Sequence, residues 1–221
     1  MLKILIATPA YGGQLTTKYC GSLMTTIQYA ARDKIGIKVL FLDNESLIQR
    51  ARNKCAWYAL EEGQADKLMF IDADIGWTYE NFKRIATANK EVIGGTYPVK
   101  QLPSRLNYNL LIDAQTDLSG VIEVKHLPTG FMCININTLR KLTEYAPTYD
   151  ALDTMGLTDG SESVTMWDLF PCGVRDGIFE SEDWGFCSFA REHGVRIWLD
   201  TDVVCTHTGT YTFTTEDCRV L

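Results

Sequence analysis

The chain has 221 residues, of which 46% are hydrophobic and 22% are charged, and its formal net charge is −7. This composition is ordinary for a globular protein with a sizeable core, and no Pro/Gly/Ser-rich linker divides the chain, so we expect one domain over residues 1–221. The negative charge disfavours nucleic acid or an anionic membrane as the main partner, but it does not exclude an anionic small molecule held through a metal ion.

The cysteine pattern predicts a reducing compartment, which we take to be the cytoplasm. The count is odd and no Cys-x-x-Cys pair occurs, so neither a zinc knuckle nor a thioredoxin-type site is indicated. The apolar stretch at residues 1–7 is too short for a signal peptide or a membrane span. The seven cysteines are Cys20, Cys55, Cys133, Cys172, Cys187, Cys205 and Cys218.

The first segments predict a strand, a ligand-facing loop and a helix. Residues 3–7 form the strand, and residues 8–13 form the loop, because Pro9 stops the strand and two glycines let the backbone approach a ligand closely. An ordinary βα turn is the alternative. The loop lacks Gly-x-Gly-x-x-Gly, so there is no dinucleotide fingerprint. Residues 17–33 are predicted to be a helix with an apolar stripe of Leu23, Ile27, Ala30 and Ala31.

The next segment predicts a second strand and a capped helix. The strand covers residues 37–42, and the helix covers residues 46–62, with Ser46 and Gln49 as a capping box and Gly63 as the stop. Arginine near a helix start opposes the helix dipole, which points to a nearby anion; solvated surface arginines are the alternative. The first turns carry Arg50, Arg52 and Asn53.

An apolar run at residues 68–71 ends in two carboxylates, Asp72 and Asp74. The run has the length of a buried parallel strand. Ligands of open α/β sheets bind beyond the carboxyl ends of the strands, and two carboxylates there suit a divalent cation that also binds a diphosphate. The alternative is that Asp74 only begins the next turn or helix.

The rest of the chain predicts mixed strands and helices. Residues 147–180 have no sustained period, and an irregular stretch of that length inside a compact domain indicates a functional loop. Two acids, Glu182 and Asp183, open a late helix, a position that the helix dipole alone would favour. Helices are predicted at 79–89, 137–145 and 182–193, and strands at 92–95, 107–113, 121–126, 131–136, 196–199 and 203–205.

Polar residues thus follow successive strands of an α/β chain, and this order resembles the nucleotide-sugar-dependent glycosyltransferases of the GT-A fold, most of all the small glycosyltransferase domains of large algal viruses. That family often continues beyond its late metal-ligand His, which is consistent with one domain of a longer protein. The matching segments are 8–11 (first loop), 46–53 (Arg-containing helix start), 70–74 (Asp-x-Asp), 129–131 (Gly-containing turn), 182–186 (Glu-Asp helix start) and His207 (late metal ligand).

The resemblance implies a GT-A-like α/β fold, with a Rossmann-type nucleotide-binding half at about residues 1–100 fused to a mixed-sheet acceptor and catalytic half at about 101–221. It implies Mn²⁺, with Mg²⁺ possible, held by Asp74 and His207, while Asp72 reaches the ribose or the metal. An imidazole ligand favours Mn²⁺. A UDP-sugar is favoured as donor, with a guanosine nucleotide second. The implied nucleotide-binding residues are Thr8, Ala10, Tyr11, Asn44, Arg50, Asp72 and Ala73.

The resemblance also implies the catalytic groups. Asp183 is the expected general base, with inversion at the anomeric carbon, and Glu182 is the reserve. Gly130 and Trp184 are expected in the sugar and acceptor pocket. The acceptor is a hydroxyl of a glycan or glycoconjugate, and a viral enzyme of this kind would act in the host cytoplasm.

Two other function classes stay open. Phosphatases of the haloacid-dehalogenase type also carry Asp-x-Asp after an apolar strand, but usually on the first strand and followed by Thr or Val. Here the motif follows the third predicted strand and precedes Ile75 and Gly76. A non-catalytic GT-A-like module would bind nucleotide or glycan without turnover.

Overall fold

The computed structural model describes residues 1–101, 104–112, 114, 116–117, 120–152 and 163–210. The helices within these ranges are α1 (Thr17–Arg32), α2 (Ile48–Glu61), α3 (Tyr79–Thr87), α4 (Ile136–Thr143) and α5 (Glu182–Glu192). The strands are β1 (Lys3–Ala10), β2 (Gly36–Asp43), β3 (Lys67–Ile71), β4 (Ile75–Gly76), β5 (Val92–Thr96), β6 (Asn109–Leu110), β7 (Ile122–His126), β8 (Phe131–Asn135), β9 (Thr148–Ala151), β10 (Val164–Trp167), β11 (Gly173–Arg175), β12 (Ile178–Glu180), β13 (Ile197–Val204) and β14 (Thr206–His207).

The main sheet has the strand order β2-β1-β3-β8-β5-β13-β7-β6 in the described part of the chain. Strands β2, β1 and β3 are parallel, as the alternation of strands and helices in the first half predicts. Strand β8 then lies between β3 and β5 and is antiparallel to both. A parallel first half joined to a mixed second half confirms the expected α/β, GT-A-like fold class.

Helices cover both faces of the sheet because successive side chains of a strand point to opposite faces. On β1, Leu5 and Ala7 belong to the core cluster that includes residues of α2, α4 and α5. Ile4 and Ile6 belong to the cluster that includes residues of α1 and α3. All four side chains are fully buried. The near-continuous apolar sequence of β1 therefore reflects a strand covered on both faces.

The first strand is longer than the sequence predicted, and Pro9 does not stop it. Pairing of β1 with β2 continues to Ala10, opposite Asp43, whereas pairing with β3 ends at Ala7. Residues beyond Ala7 therefore border β2 alone, and proline is tolerated where one side of a strand is free. Only the end of the predicted loop, Tyr11–Gly13, leaves the strand, as a 3₁₀ turn.

The predicted capping box before α2 is wrong. The N-cap is Leu47, and no side chain caps the helix. Glu45 organises the turn instead: its Oε1 accepts a hydrogen bond from the Leu47 amide at 3.3 Å, and its Oε2 lies 2.6 Å from the buried Lys54 ammonium. The predicted stop at Gly63 is confirmed, since a Cβ there would lie 2.9 Å from the backbone of Ala59.

The irregular appearance of residues 147–180 conceals two hairpins, so the prediction of one long loop is wrong for the described part. Strand β9 pairs with β10, and β11 pairs with β12; residues 153–162 lie outside the described residues. Each strand has only three or four residues, too few to show a period. Of the predicted strand at 107–113, only Asn109–Leu110 is a strand, and Asp113 lies outside the described residues.

Two smaller differences concern a helix face and a strand break. Helix α1 buries Leu23 and Ala30, as predicted, but Ile27 is 46% exposed and Ala31 is also exposed. The buried face of α1 is completed by Tyr19 and Thr26. The two predicted strands at 196–199 and 203–205 are one strand, β13, with an irregularity in its pairing to β5. All cysteines in the described ranges are free, and no helix there is long and apolar enough to cross a membrane.

Candidate functional site

The carboxyl ends of β1, β2 and β3 meet at one edge of the sheet, because the three strands are parallel neighbours. A cleft of about 400 Å³ opens at this edge. Its lining includes four of the predicted site residues: Tyr11, Asp72, Ala73 and Asp74. The remaining lining residues are Pro9, Gln14, Leu15, Thr16 and Ile48.

The other predicted nucleotide-binding residues do not line this cleft. Thr8 is fully buried, and its hydroxyl is 2.6 Å from that of Tyr19. Ala10 is also buried, while Asn44 is exposed with a positive φ of 60°. Arg50 lies 3.4 Å from Glu45 and lines a neighbouring groove of about 580 Å³. Thr8 and Ala10 are therefore buried outside the cleft lining, and Arg50 lines the neighbouring groove.

Backbone pairing brings His207 to Asp74 from a distant part of the sequence. Strand β14 pairs with β4, which places His207 opposite Ile75, and the Thr208 amide donates to the Asp74 carbonyl at 2.9 Å. His207 Nδ1 lies 2.8 Å from the carbonyl oxygen of Pro98. That oxygen can only accept, so Nδ1 bears a proton, and Nε2 faces Asp74 Oδ1 at 3.5 Å.

This arrangement fits a divalent cation with two protein ligands. A histidine whose second ring nitrogen donates to a carbonyl is oriented in the way usual for metal ligands. One carboxylate and one imidazole suit Mn²⁺. No cluster of three or more His, Cys, Asp or Glu side chains that could hold an ion exists in the described ranges. The remaining coordination positions would therefore belong to water or to oxygens of a bound diphosphate.

Lys100 is a second partner of Asp74 that the sequence did not indicate. Its ammonium forms an ion pair with Asp74 Oδ2, on the carboxylate oxygen that does not face His207. Burial alone would raise the pKa of Asp74, but the contacts with His207 and Lys100 outweigh burial and hold this pKa below its usual value. The carboxylate is therefore charged at neutral pH.

Asp72 faces a different partner from Asp74. Arg52, only 1% exposed, places Nη2 2.6 Å from Asp72 Oδ1 and 3.7 Å from Glu182 Oε1. The 2.6 Å contact has the distance of an ion pair but not the alignment of a hydrogen bond. Arg52 Nε and Nη1 also have no hydrogen-bond partner among the described residues. The expectation that Asp72 and Asp74 act as a matched pair of metal ligands therefore has no support in their contacts.

Gly130 lies against Asp72 at a point where no side chain fits. Its carbonyl accepts from the Asp72 amide at 3.1 Å, and its own amide donates to the Tyr97 hydroxyl at 3.2 Å. A Cβ at Gly130 would lie 2.4 Å from that hydroxyl and 2.9 Å from Asp72 Oδ2. Burial raises the pKa of Tyr97 well above its ordinary value, so the phenol stays protonated.

The two acids at the start of α5 have different surroundings. Burial raises the pKa of Glu182, although Arg52 opposes this change. Glu182 Oε1 accepts a hydrogen bond from the Thr129 hydroxyl at 3.3 Å. Asp183 Oδ1 accepts from the Ser181 hydroxyl and, at 2.9 Å, from the Trp184 amide. Glu182 therefore joins the buried charges around Arg52, while Asp183 Oδ1 is hydrogen-bonded to two groups at the start of the helix.

Trp184 rests on a buried histidine that the sequence did not indicate. The rings of His126 and Trp184 stack with centroids 4.3 Å apart and planes 10° apart. His126 is 3% exposed, and burial, reinforced by the charge of Lys125, lowers its pKa to about 4. The imidazole is thus neutral near pH 7 and supports the indole next to Asp183.

Comparison with known proteins gives a structural likeness only. No protein-family model matches the chain, and no curated protein matches it. Among solved structures, A197 from STIV has a TM-score of 0.54 at 15% identity and covers 95% of this chain and 87% of its own. The structure of GalNAc-T7 with UDP, GalNAc and Mn²⁺ has a TM-score of 0.49 at 10% identity, with 94% of this chain and 44% of that chain covered. The likeness to A197 shows a shared fold.

Proposed function

We propose that this protein is a metal-dependent glycosyltransferase, which moves a sugar from a nucleoside-diphosphate sugar to a hydroxyl group of a glycan or glycoconjugate. The observation that carries this proposal is the approach of His207 Nε2 to Asp74 Oδ1, at 3.5 Å. Asp74 also lines the cleft at the carboxyl ends of the parallel strands. Ligands of open α/β sheets bind at that edge.

Asp74 and His207 are the proposed ligands of a divalent ion, with Mn²⁺ favoured over Mg²⁺ because of the imidazole. When bound, the ion would act as a Lewis acid that stabilises the departing nucleoside diphosphate. The Pro98 carbonyl fixes the ring orientation of His207 by accepting a hydrogen bond from Nδ1. Asp72 would reach the ribose, or the ion through water, from its place beside Arg52.

The nucleotide would occupy the cleft beside Tyr11 and Ala73, and a uridine nucleotide is favoured, as in the family that the sequence resembles. Thr8 and Ala10 would support this cleft from outside its lining. Asn44 and Arg50 stay predicted nucleotide contacts, each outside the cleft lining. In this proposal residues 1–100 bind the nucleotide, and residues 101–221 supply the acceptor site and the base within one domain.

Asp183 is the proposed general base. It would remove the proton of the acceptor hydroxyl as that oxygen bonds to the anomeric carbon, while the bond from this carbon to the diphosphate oxygen breaks and the diphosphate takes the electron pair. The configuration at the anomeric carbon inverts. Glu182 is the alternative base, since burial raises its pKa and a carboxylate with a raised pKa accepts a proton more readily. Gly130 and Trp184 would border the sugar and the acceptor.

The test is to incubate the protein with Mn²⁺ and a panel of nucleotide sugars and to measure the released nucleoside diphosphate, first with water and then with glycan acceptors. Release that requires Mn²⁺ and increases with an acceptor supports the proposal. Free inorganic phosphate from a phosphate monoester would indicate the phosphatase class instead. Nucleotide affinity without any product would indicate a binding module.

A further inference from the structure

Lys100 has a position that the proposed ligands alone do not explain. The two oxygens of the Asp74 carboxylate have different partners: Oδ1 faces His207 Nε2 at 3.5 Å, and Oδ2 contacts the Lys100 ammonium. A divalent ion on Asp74 and His207 would place two cations on one carboxylate. Two cations bound to the same carboxylate repel each other, so the ammonium and the ion compete for Asp74.

The lysine side chain is held at its stem and free at its end. A Cβ built at Gly209 would lie 3.1 Å from Lys100 Cδ, so the chain near Gly209 packs closely against the stem. The Lys100 side chain is 41% exposed, and a lysine ammonium on a four-carbon stem can turn toward a new partner. Pro98, two residues earlier, holds His207, so one short segment contacts both proposed metal ligands.

We propose that Lys100 is a phosphate-binding residue that exchanges partners: without ligand its ammonium neutralises Asp74, and with metal and nucleotide bound it contacts the diphosphate. This inference rests on the proposed function. Lys100 does not itself line the cleft, but its ammonium contacts Asp74, which does, so a diphosphate held at Asp74 would lie within reach of the ammonium. Lysine is a common phosphate ligand, and a diphosphate would replace the negative charge that the ammonium loses on leaving Asp74.

The exchange predicts effects of opposite sign from one substitution, Lys100→Gln. Mn²⁺ affinity of the nucleotide-free protein, measured by titration with the ion alone, should rise by a few-fold, because Asp74 loses a competing cation. UDP affinity at saturating Mn²⁺, measured by calorimetry, should fall by about tenfold, the size of one hydrogen bond to a charged group. Lys100→Arg, which keeps the charge, should bind UDP nearly as well as the wild-type protein.

Lys83→Gln is the matched control, because Lys83 forms a similar surface ion pair with Asp33 at 2.7 Å and is 50% exposed. It should change neither affinity. If Lys100→Gln strengthens both Mn²⁺ and UDP binding, Lys100 is only a competitor of the ion and the proposal is wrong; unchanged UDP affinity also overturns it. Failure of the proposed function looks different, because then the wild-type protein itself binds neither Mn²⁺ nor UDP.

Discussion

Replacing Arg52 with Met should destabilise the protein by about 3–5 kcal/mol, the usual cost of removing one partner from a buried ion pair. Arg52 is 1% exposed, with carboxylate oxygens of Asp72 at 2.6 Å and of Glu182 at 3.7 Å. At an effective dielectric constant of about 20, each contact carries roughly 4–6 kcal/mol of attraction, and the cost of burying the guanidinium offsets much of it. Met fills a similar volume, so the loss reports on charge.

Urea unfolding at pH 7 and at pH 5 measures this cost. Burial already raises the pKa of Glu182, and removal of the nearby guanidinium raises it further. A carboxyl group with a higher pKa in the folded protein than in the unfolded chain binds protons more readily when folded, so lowering the pH toward the folded pKa increases stability. The loss of unfolding free energy in Arg52→Met should therefore be smaller at pH 5 than at pH 7. Adding Glu182→Gln should likewise recover part of the loss, since neighbouring sites do not behave additively.

Arg175→Met is the control, because Arg175 also contacts two carboxylates, Glu180 and Glu192, but its side chain is 33% exposed. Exposed pairs contribute about 0–1 kcal/mol, so this variant should lose little. An equal loss in both variants, or a deficit of Arg52→Met that grows on acidification, would refute the idea that burial gives the Arg52 cluster its energy.

Three further predictions concern metal binding, catalysis and pH. Asp74→Asn should abolish Mn²⁺-dependent UDP binding in calorimetry, while its free energy of unfolding stays within about 1 kcal/mol of the wild-type value. His207→Ala should weaken that binding less, because imidazole contributes no charge. Unchanged UDP affinity of the Asn variant would reject the ligand assignment. Asp183→Asn should keep Mn²⁺ and UDP binding but slow sugar transfer by about 10²-fold or more; near-normal transfer would move the base role to Glu182, and a product with retained configuration would exclude both. The pKa of His126 is about 4 in the folded protein and 6.5 in the unfolded chain, so the free energy of unfolding should decline by roughly 3 kcal/mol as the pH falls from 6.5 to 4. His126→Gln should remove that decline. The same pH dependence of stability in this variant and in the wild-type protein would contradict the prediction.

The central part of the site was predictable because ligands of open α/β sheets bind at the carboxyl ends of the strands. Asp72 and Asp74 were recognisable because an apolar run of strand length ends at two acids, and parallel strands bring their carboxyl ends together. His207 was matched only through a family resemblance. Its contact with Asp74 depends on the pairing of β14 with β4, two strands of two residues each, which no local pattern reveals.

Partners set by tertiary packing were not predictable. Arg52 and Arg50 both lie near the start of α2, yet one is 1% exposed beside Asp72 and the other is 43% exposed beside Glu45. Two positions along a helix differ in direction by about half a turn, and only the face that meets the sheet becomes buried. Lys100 follows a short strand with no distinguishing neighbour, so its pairing with Asp74 required the folded chain.

The pairing of Thr206–His207 with Ile75–Gly76 has a thermodynamic consequence. The contacts that hold this late segment near Asp74 include the two-residue strand pair, the hydrogen bond from the Thr208 amide to the Asp74 carbonyl at 2.9 Å and the hydrogen bond from His207 to the Pro98 carbonyl at 2.8 Å. Such short pairings open locally at low cost. An ion bound to His207 would favour the state in which Thr206–His207 is paired with Ile75–Gly76. The bound ion would therefore make local opening of this pairing less frequent and slow the amide hydrogen exchange of Thr208. Conversely, a partner that bound the chain next to His207 and favoured this pairing would raise the metal affinity without contacting the ion.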